Sequence, residues 1–118
     1  MQQRVFDENE YILLLTLKAG EYTGSRVSDV DLFRIRNAMP HLAETLKKSL
    51  RPGDAVAQFS DSQYVILLSA CTYEGGMLAA NRIISKFYQD HKVYRNLKIK
   101  IHIEKVKTAE HILNKYSG

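Results

Sequence analysis

Five side chains of this sequence could ligate a transition metal: His41, His91, His102 and His111 through imidazole, and Cys71 through thiolate. Zinc ligation needs a cluster at short spacing. The histidines share no ligand spacing with Cys71, so neither a metal site nor any other cofactor is expected. Nucleophilic and acid–base chemistry find no better footing. No Ser/His/Asp or Cys/His constellation is readable, and paired inward carboxylates are absent, so the chain does not read as an enzyme. Lys98, Lys100 and His102 alternate along one segment, with Lys105 and Lys107 beyond, and such residues can touch phosphates. The net charge is only +4, there is no Trp, and no basic–aromatic stripe appears. These residues read as a solvated face, and direct contact with nucleic acid is not expected. Arg51 closes a helical stretch, where a cation is favoured. Asp54 follows Pro52-Gly53, where a turn carboxylate is common.

The elements around these residues follow from periodicity. Tyr11 to Leu17 is short, apolar and β-rich, which predicts a central strand buried on both faces. The stretch from Ala19 to Ser25 carries two glycines and predicts a loop. Ser28 offers an N-cap, and Leu32, Ile35, Met39, Leu42, Leu46 and Leu50 recur every three or four residues, the apolar stripe of a long helix. Pro40 inside that stripe predicts a kink or two abutting helices. Asp54 to Phe59 and Tyr64 to Ala70 read as two strands joined by Ser60-Asp61-Ser62-Gln63, with Phe59 and Tyr64 as a packed cross-strand pair. Thr72 can cap a second helix whose apolar face is Met77, Ala80, Ile83, Ile84 and Phe87. Gly75-Gly76 in its first turn would permit close approach of another backbone. Leu97, Ile99, Ile101 and Ile103 alternate with Lys98, Lys100, His102 and Glu104, the clearest strand of the chain. Ala109 to Tyr116 suggests a short terminal helix.

The order β-α-β-β-α-β predicts an α+β fold, a ferredoxin-like sandwich with a mostly antiparallel sheet and helices on one face. With 118 residues and no linker, one domain spanning 1–118 is expected. Hydrophobic residues make up 45% and charged residues 25%, the balance of a packed globular chain. The longest apolar runs, such as Val65 to Leu68, are far too short for a bilayer. A single cysteine asks for no oxidising compartment, and Met1 to Val5 shows no apolar secretory region. A cytoplasmic protein without membrane contact is the expectation.

The stretch Leu50-Arg51-Pro52-Gly53-Asp54 through Phe59-Ser60-Asp61-Ser62-Gln63-Tyr64 to Leu68 resembles the centre of a GGDEF (diguanylate cyclase) domain. In that family an arginine-x-x-aspartate precedes a strand, a hairpin carries Gly-Gly-Asp/Glu-Glu-Phe, and an apolar strand follows. The helix Tyr73 to Ile84 also looks like the family helix after the hairpin, and the likeness spans about residues 10 to 106. The resemblance implies a nucleotide-cyclase-type core. It also implies that the signature is lost. Ser60 and Asp61 fall on the glycine positions, Ser62 on the acidic one, Gln63 on the glutamate and Tyr64 on the phenylalanine. The metal-binding aspartate of the first strand falls on Thr16. Glycine lets phosphates approach a hairpin backbone, and carboxylates supply the hard oxygens Mg²⁺ requires. A narrower resemblance, carried by the degenerate hairpin and Thr72-Tyr73-Glu74-Gly75-Gly76, is to the C-terminal region of Firmicutes transcriptional regulators with a bacterial transcriptional activator domain.

Together these readings lead to a degenerate, non-catalytic module of a longer regulator, working through another protein domain or through self-association. The alternative implied by the resemblance is a cyclic di-GMP receptor. In it Arg51 would pair with a phosphate and Asp54 would accept from a guanine edge.

Overall fold

The computed structural model describes residues 9–19 and 28–106. Four strands and two long helices alternate in chain order: β1 (Asn9–Ala19), α1 (Asp29–Ser49), β2 (Ala55–Ser60), β3 (Gln63–Cys71), α2 (Tyr73–Asp90) and β4 (Leu97–Val106), with a single 3₁₀ turn at Lys92–Tyr94 before β4. The sheet order is β2-β3-β1-β4, and every neighbouring pair is antiparallel. This is the α+β arrangement that the order of elements implied, with both helices on one face.

Alternation on β1 sets that face. Leu13, Leu15 and Leu17 meet Ile66 and Tyr64 of β3 and Ile103, Ile101 and Ile99 of β4. These side chains pack against Ile35, Ala38, Met39, Leu42 and Leu46 of α1 and Ala80, Ile83 and Phe87 of α2 to form one core. Ile12 is also buried, although it stands on the opposite face of β1. The segment is central in the sheet, as read, but its second face is only partly covered, since Leu14 and Thr16 are half-buried; the strand runs on through Lys18 to Ala19, the residue at which a loop was expected to begin. The rest of that loop and the terminal helix at Ala109 to Tyr116 lie outside the described residues.

Both caps form as their residue types dictate. Ser28 Oγ accepts from the Asp31 N–H at 3.1 Å and Thr72 Oγ1 from the Gly75 N–H at 3.0 Å. Gly76 is buried where an added Cβ would come within 2.6 Å of Ile103 Cδ1, so what packs closely against it is a side chain of β4 and not the backbone expected. Three expectations change. The α1 helix is one continuous element through Pro40, so the pair of abutting helices does not form; Pro40 lies on the exposed side, where water can serve the carbonyl its ring leaves without a donor. Leu32 ends up exposed at the N-terminal end of the stripe. Tyr64 does not pair with Phe59. It turns into the core, and its hydroxyl donates to the Met39 carbonyl of α1 at 2.9 Å, while Phe59 sits half-exposed at an irregularity between Gln58 and Ser60.

The two faces of β1 predict a contrast measurable by urea unfolding. Leu13 is 0% exposed on the helix side, so Leu13→Ala should cost about 3 kcal/mol. Leu14→Ala, on the half-buried opposite face, should cost less than half as much; equal losses would mean the helices do not cover the Leu13 side.

Candidate functional site

The hairpin between β2 and β3 meets the end of β1, which brings together the residues that the resemblance grouped into one site. Thr16 is the cross-strand partner of Gln63 on one side and of Lys100 on the other. Gln63 Nε2 donates to Thr16 Oγ1 at 3.1 Å, and Ser60 Oγ donates to Gln63 Oε1 at 2.8 Å. Ser60 Oγ in turn accepts from the Ser62 N–H at 3.3 Å, and the Ser62 carbonyl accepts from the Leu17 N–H at 2.8 Å. The resemblance grouped Thr16, Ser60, Asp61, Ser62 and Gln63; Asp61 lines a cleft beside the others, and the structure joins the other four, Thr16, Gln63 and Ser60 through side chains and Ser62 through its backbone N–H and carbonyl. They form a neutral relay. Across the sheet at this level stand an amide, a hydroxyl and an ammonium, a donor set without the anionic oxygens that hold Mg²⁺.

The turn itself is tighter than the four-residue connection expected, since Ser60 and Gln63 are paired and only Asp61 and Ser62 remain between them. Among the described non-glycine residues only Ala70 has a positive φ. Ser60 and Asp61 therefore adopt backbone angles open to any residue, and this hairpin does not require glycine. A cleft of about 290 Å³ lies beside it, lined by Thr16, Lys18, Leu32, Arg36, Asp61 and Ser62 among others. Asp61 is the carboxylate here, facing a wall with two cations.

Arg51 and Asp54 form a separate site at the other end of the hairpin. The Asp54 carboxylate is 2% exposed, and both of its oxygens are engaged. Oδ2 accepts from Arg51 Nε at 3.2 Å and from the Arg51 N–H at 3.0 Å; Oδ1 accepts from Arg51 Nη2 at 3.3 Å and from the Ser69 N–H at 3.0 Å. Arg51 Nη2 also donates to the Ser69 carbonyl at 2.5 Å. The reason lies in β3. Its register against β1 slips between Asn9 and Tyr11, and Ala70 sits at φ 50°, the geometry of a β-bulge. Arg51 and Asp54 supply hydrogen bonds to Ser69 beside that bulge, where regular pairing breaks down. Gly53, at φ 95°, permits the approach, since a Cβ there would lie 2.9 Å from Ser69 Oγ. A small cavity of about 160 Å³ adjoins the pair, with Arg82 of α2 on its far wall.

The remaining candidates are placed as follows. His102 is exposed beside Lys98 and Lys100 and pairs with Glu104 at 3.2 Å, as a solvated face would. Lys107 lies outside the described residues. The structure also gathers His41, Glu44 and His91, which sequence reasoning missed. The one available signal was the His41-x-x-Glu44 spacing on a helix; His91 is too remote in sequence to announce itself.

No family model matches the chain, and no curated protein matches it. Among solved structures it is similar to the crystal structure of a DGC protein from Thermotoga maritima. The TM-score is 0.57 at 18% identity, covering 97% of this chain and 78% of that one. The fold is therefore cyclase-like. No helix among the described residues is long and apolar enough to cross a membrane.

Burial pushes the Asp54 carboxyl up, but the Arg51 side chain, the Ser69 and Arg51 N–H groups and the guanidinium charge outweigh it and hold its pKa below the ordinary 3.8. The folded state thus binds this proton less tightly than the unfolded one. The resulting stability is fully present above about pH 4 and is lost as pH falls through the lower folded value. Asp54→Ala should cost about 3 kcal/mol at neutral pH. Asp54→Asn should flatten the acid side of the stability profile in urea titrations below pH 4; an unchanged profile would mean that Asp54 is not held ionised by the fold.

Proposed function

We propose that this chain is a catalytically inactive cyclase-like regulatory module that acts by contact with another protein domain or a second copy of itself, as part of a longer bacterial transcriptional regulator. One observation carries the reading: at the cyclase-like metal position, Thr16, Gln63 and Ser60 are bonded to one another in a neutral relay, with Lys100 alongside. A divalent ion held by that row would meet the Lys100 ammonium and no carboxylate of the row itself; the hairpin carboxylate, Asp61, lines the adjoining cleft together with the cations Lys18 and Arg36. The sheet face away from the helices supports the contact half of the proposal. It carries an apolar hollow of about 350 Å³ lined by Ile12, Ala55, Ala57, Val65 and Leu67, the type of surface that protein contacts use.

The receptor alternative draws on Arg51 and Asp54. Its chemistry competes with the clamp just described, because Asp54 would have to exchange Ser69 and Arg51 for a guanine edge. The adjoining cavity, about 160 Å³, is smaller than a ligand of that size occupies.

Incubation with GTP and Mg²⁺ should give no cyclic di-GMP above a protein-free control; product formation would overturn the reading. Calorimetric titration with cyclic di-GMP should show no saturable heat at micromolar concentration. Saturable binding that disappears in Arg51→Ala would instead establish the receptor. Sedimentation across a concentration series separates the two kinds of protein partner, since a mass that rises with concentration identifies a second copy.

A further inference from the structure

His41 and Glu44 stand one turn apart on α1, so their side chains leave the same side of the helix. His91 is the residue on which α2 ends. Its N–H donates to the Phe87 carbonyl at 2.9 Å, and its own carbonyl accepts from the Tyr94 N–H at 3.0 Å, fixing its backbone where the chain enters the 3₁₀ turn. One ligand atom from each of the three residues lies within 4.8 Å of the other two. A four-coordinate zinc ion with ligand bonds of about 2.1 Å sets its ligand atoms about 3.4 Å apart. Modest side-chain rotation closes that gap. The rings are already close to the required placement. The His41 and His91 centroids are 4.7 Å apart at a tilt of 41°. Two imidazoles on one tetrahedral ion place their centroids roughly 5 Å apart.

The surroundings hold this arrangement. The Tyr94 ring lies 5.7 Å from that of His41, and the Phe87 ring, wholly buried, lies 5.5 Å from that of His91. Arg34 of α1 donates to the Val93 carbonyl at 3.1 Å and to Asn96 Oδ1 at 2.7 Å, so α1 is tied independently to the segment that follows His91. A site whose ligands are positioned beforehand loses little conformational freedom on binding. Two imidazole nitrogens and one carboxylate suit zinc and neighbouring borderline metals, while Mg²⁺ and Ca²⁺ demand oxygen throughout.

We propose that His41, Glu44 and His91 form a zinc site that ties α1 to the C-terminal end of α2, with the fourth coordination position left to water. The site is independent of the cyclase-like cleft. The test uses the full chain, without a histidine tag, stripped with chelator. Zn²⁺ titrated into it should bind at one ion per chain and raise the melting temperature by mass action. Co²⁺ at the same site should give the visible absorption bands of a four-coordinate ion. His41→Ala and His91→Ala should each weaken binding more than tenfold, roughly the least that a ligand's loss costs. Glu44→Gln should weaken it as well, while His102→Ala should leave it unchanged. Circular dichroism of the metal-free variants confirms that they fold. Absence of saturable binding, binding retained in both histidine variants, or equal loss in His102→Ala would overturn the site.

Discussion

Everything in this fold hangs on β1 being hydrogen-bonded along both edges. Because β3 pairs on one side and β4 on the other, a one-residue slip of β1 would turn Leu13, Leu15 and Leu17 away from the helices and bring Ile12 and Leu14 in. Two independent registers penalise that slip. The same constraint fixes Thr16 opposite Gln63 and Lys100, so the chemistry available at the hairpin is set by strand pairing rather than by a mobile loop. Once that row is fixed, side-chain identity alone decides whether it can hold a metal.

The hairpin shows how such a row remains stable without ionic chemistry. Carboxylates set close together repel until a cation separates them. Thr16, Gln63 and Ser60 need no cation, because neutral donors and acceptors within the group meet one another, Gln63 Nε2 with Thr16 Oγ1 and Ser60 Oγ with Gln63 Oε1. With no positive φ at Ser60 or Asp61, the turn places no demand for glycine either. The side chains of the neutral row are thus also the ones that let the hairpin close on itself.

Much of the fold was legible in the sequence because it rests on local rules. The alternation of Leu97, Ile99, Ile101 and Ile103, the caps at Ser28 and Thr72 and the stripe of α1 each declare themselves within a few residues. Pro40 does not divide the helix, because proline's cost depends on whether its ring and the freed carbonyl face solvent, which periodicity alone does not weigh. Tyr64 misled because its long side chain reaches Met39, a partner 25 residues earlier. The bulge at Ala70 carries no glycine to announce it. His41 and His91 meet only because the two helices pack together, and no spacing along the chain encodes that. At the candidate site the resemblance grouped residues that the structure brings together at one end of the hairpin, but their hydrogen-bond order was not legible, because it depends on which strands pair.

The Arg51-x-x-Asp54 pattern bears on how far a motif can be carried between proteins. In sequence it is the best-matched charged feature of the resemblance, and its presence invites a ligand. In the structure the Asp54 carboxylate is engaged by the Ser69 N–H and by Arg51, and Arg51 in turn donates to the Ser69 carbonyl, while the rest of its side chain stays half-exposed. A buried carboxylate in this position cannot be removed without stranding a backbone donor beside the bulge, and it cannot be left unpaired without the cost of an isolated charge. The pattern therefore has a sufficient cause in the backbone geometry of β3. A chain that never bound a nucleotide would need these two residues as much as one that did, so their presence weighs little for the receptor, and the neutral row at Thr16 carries the argument alone.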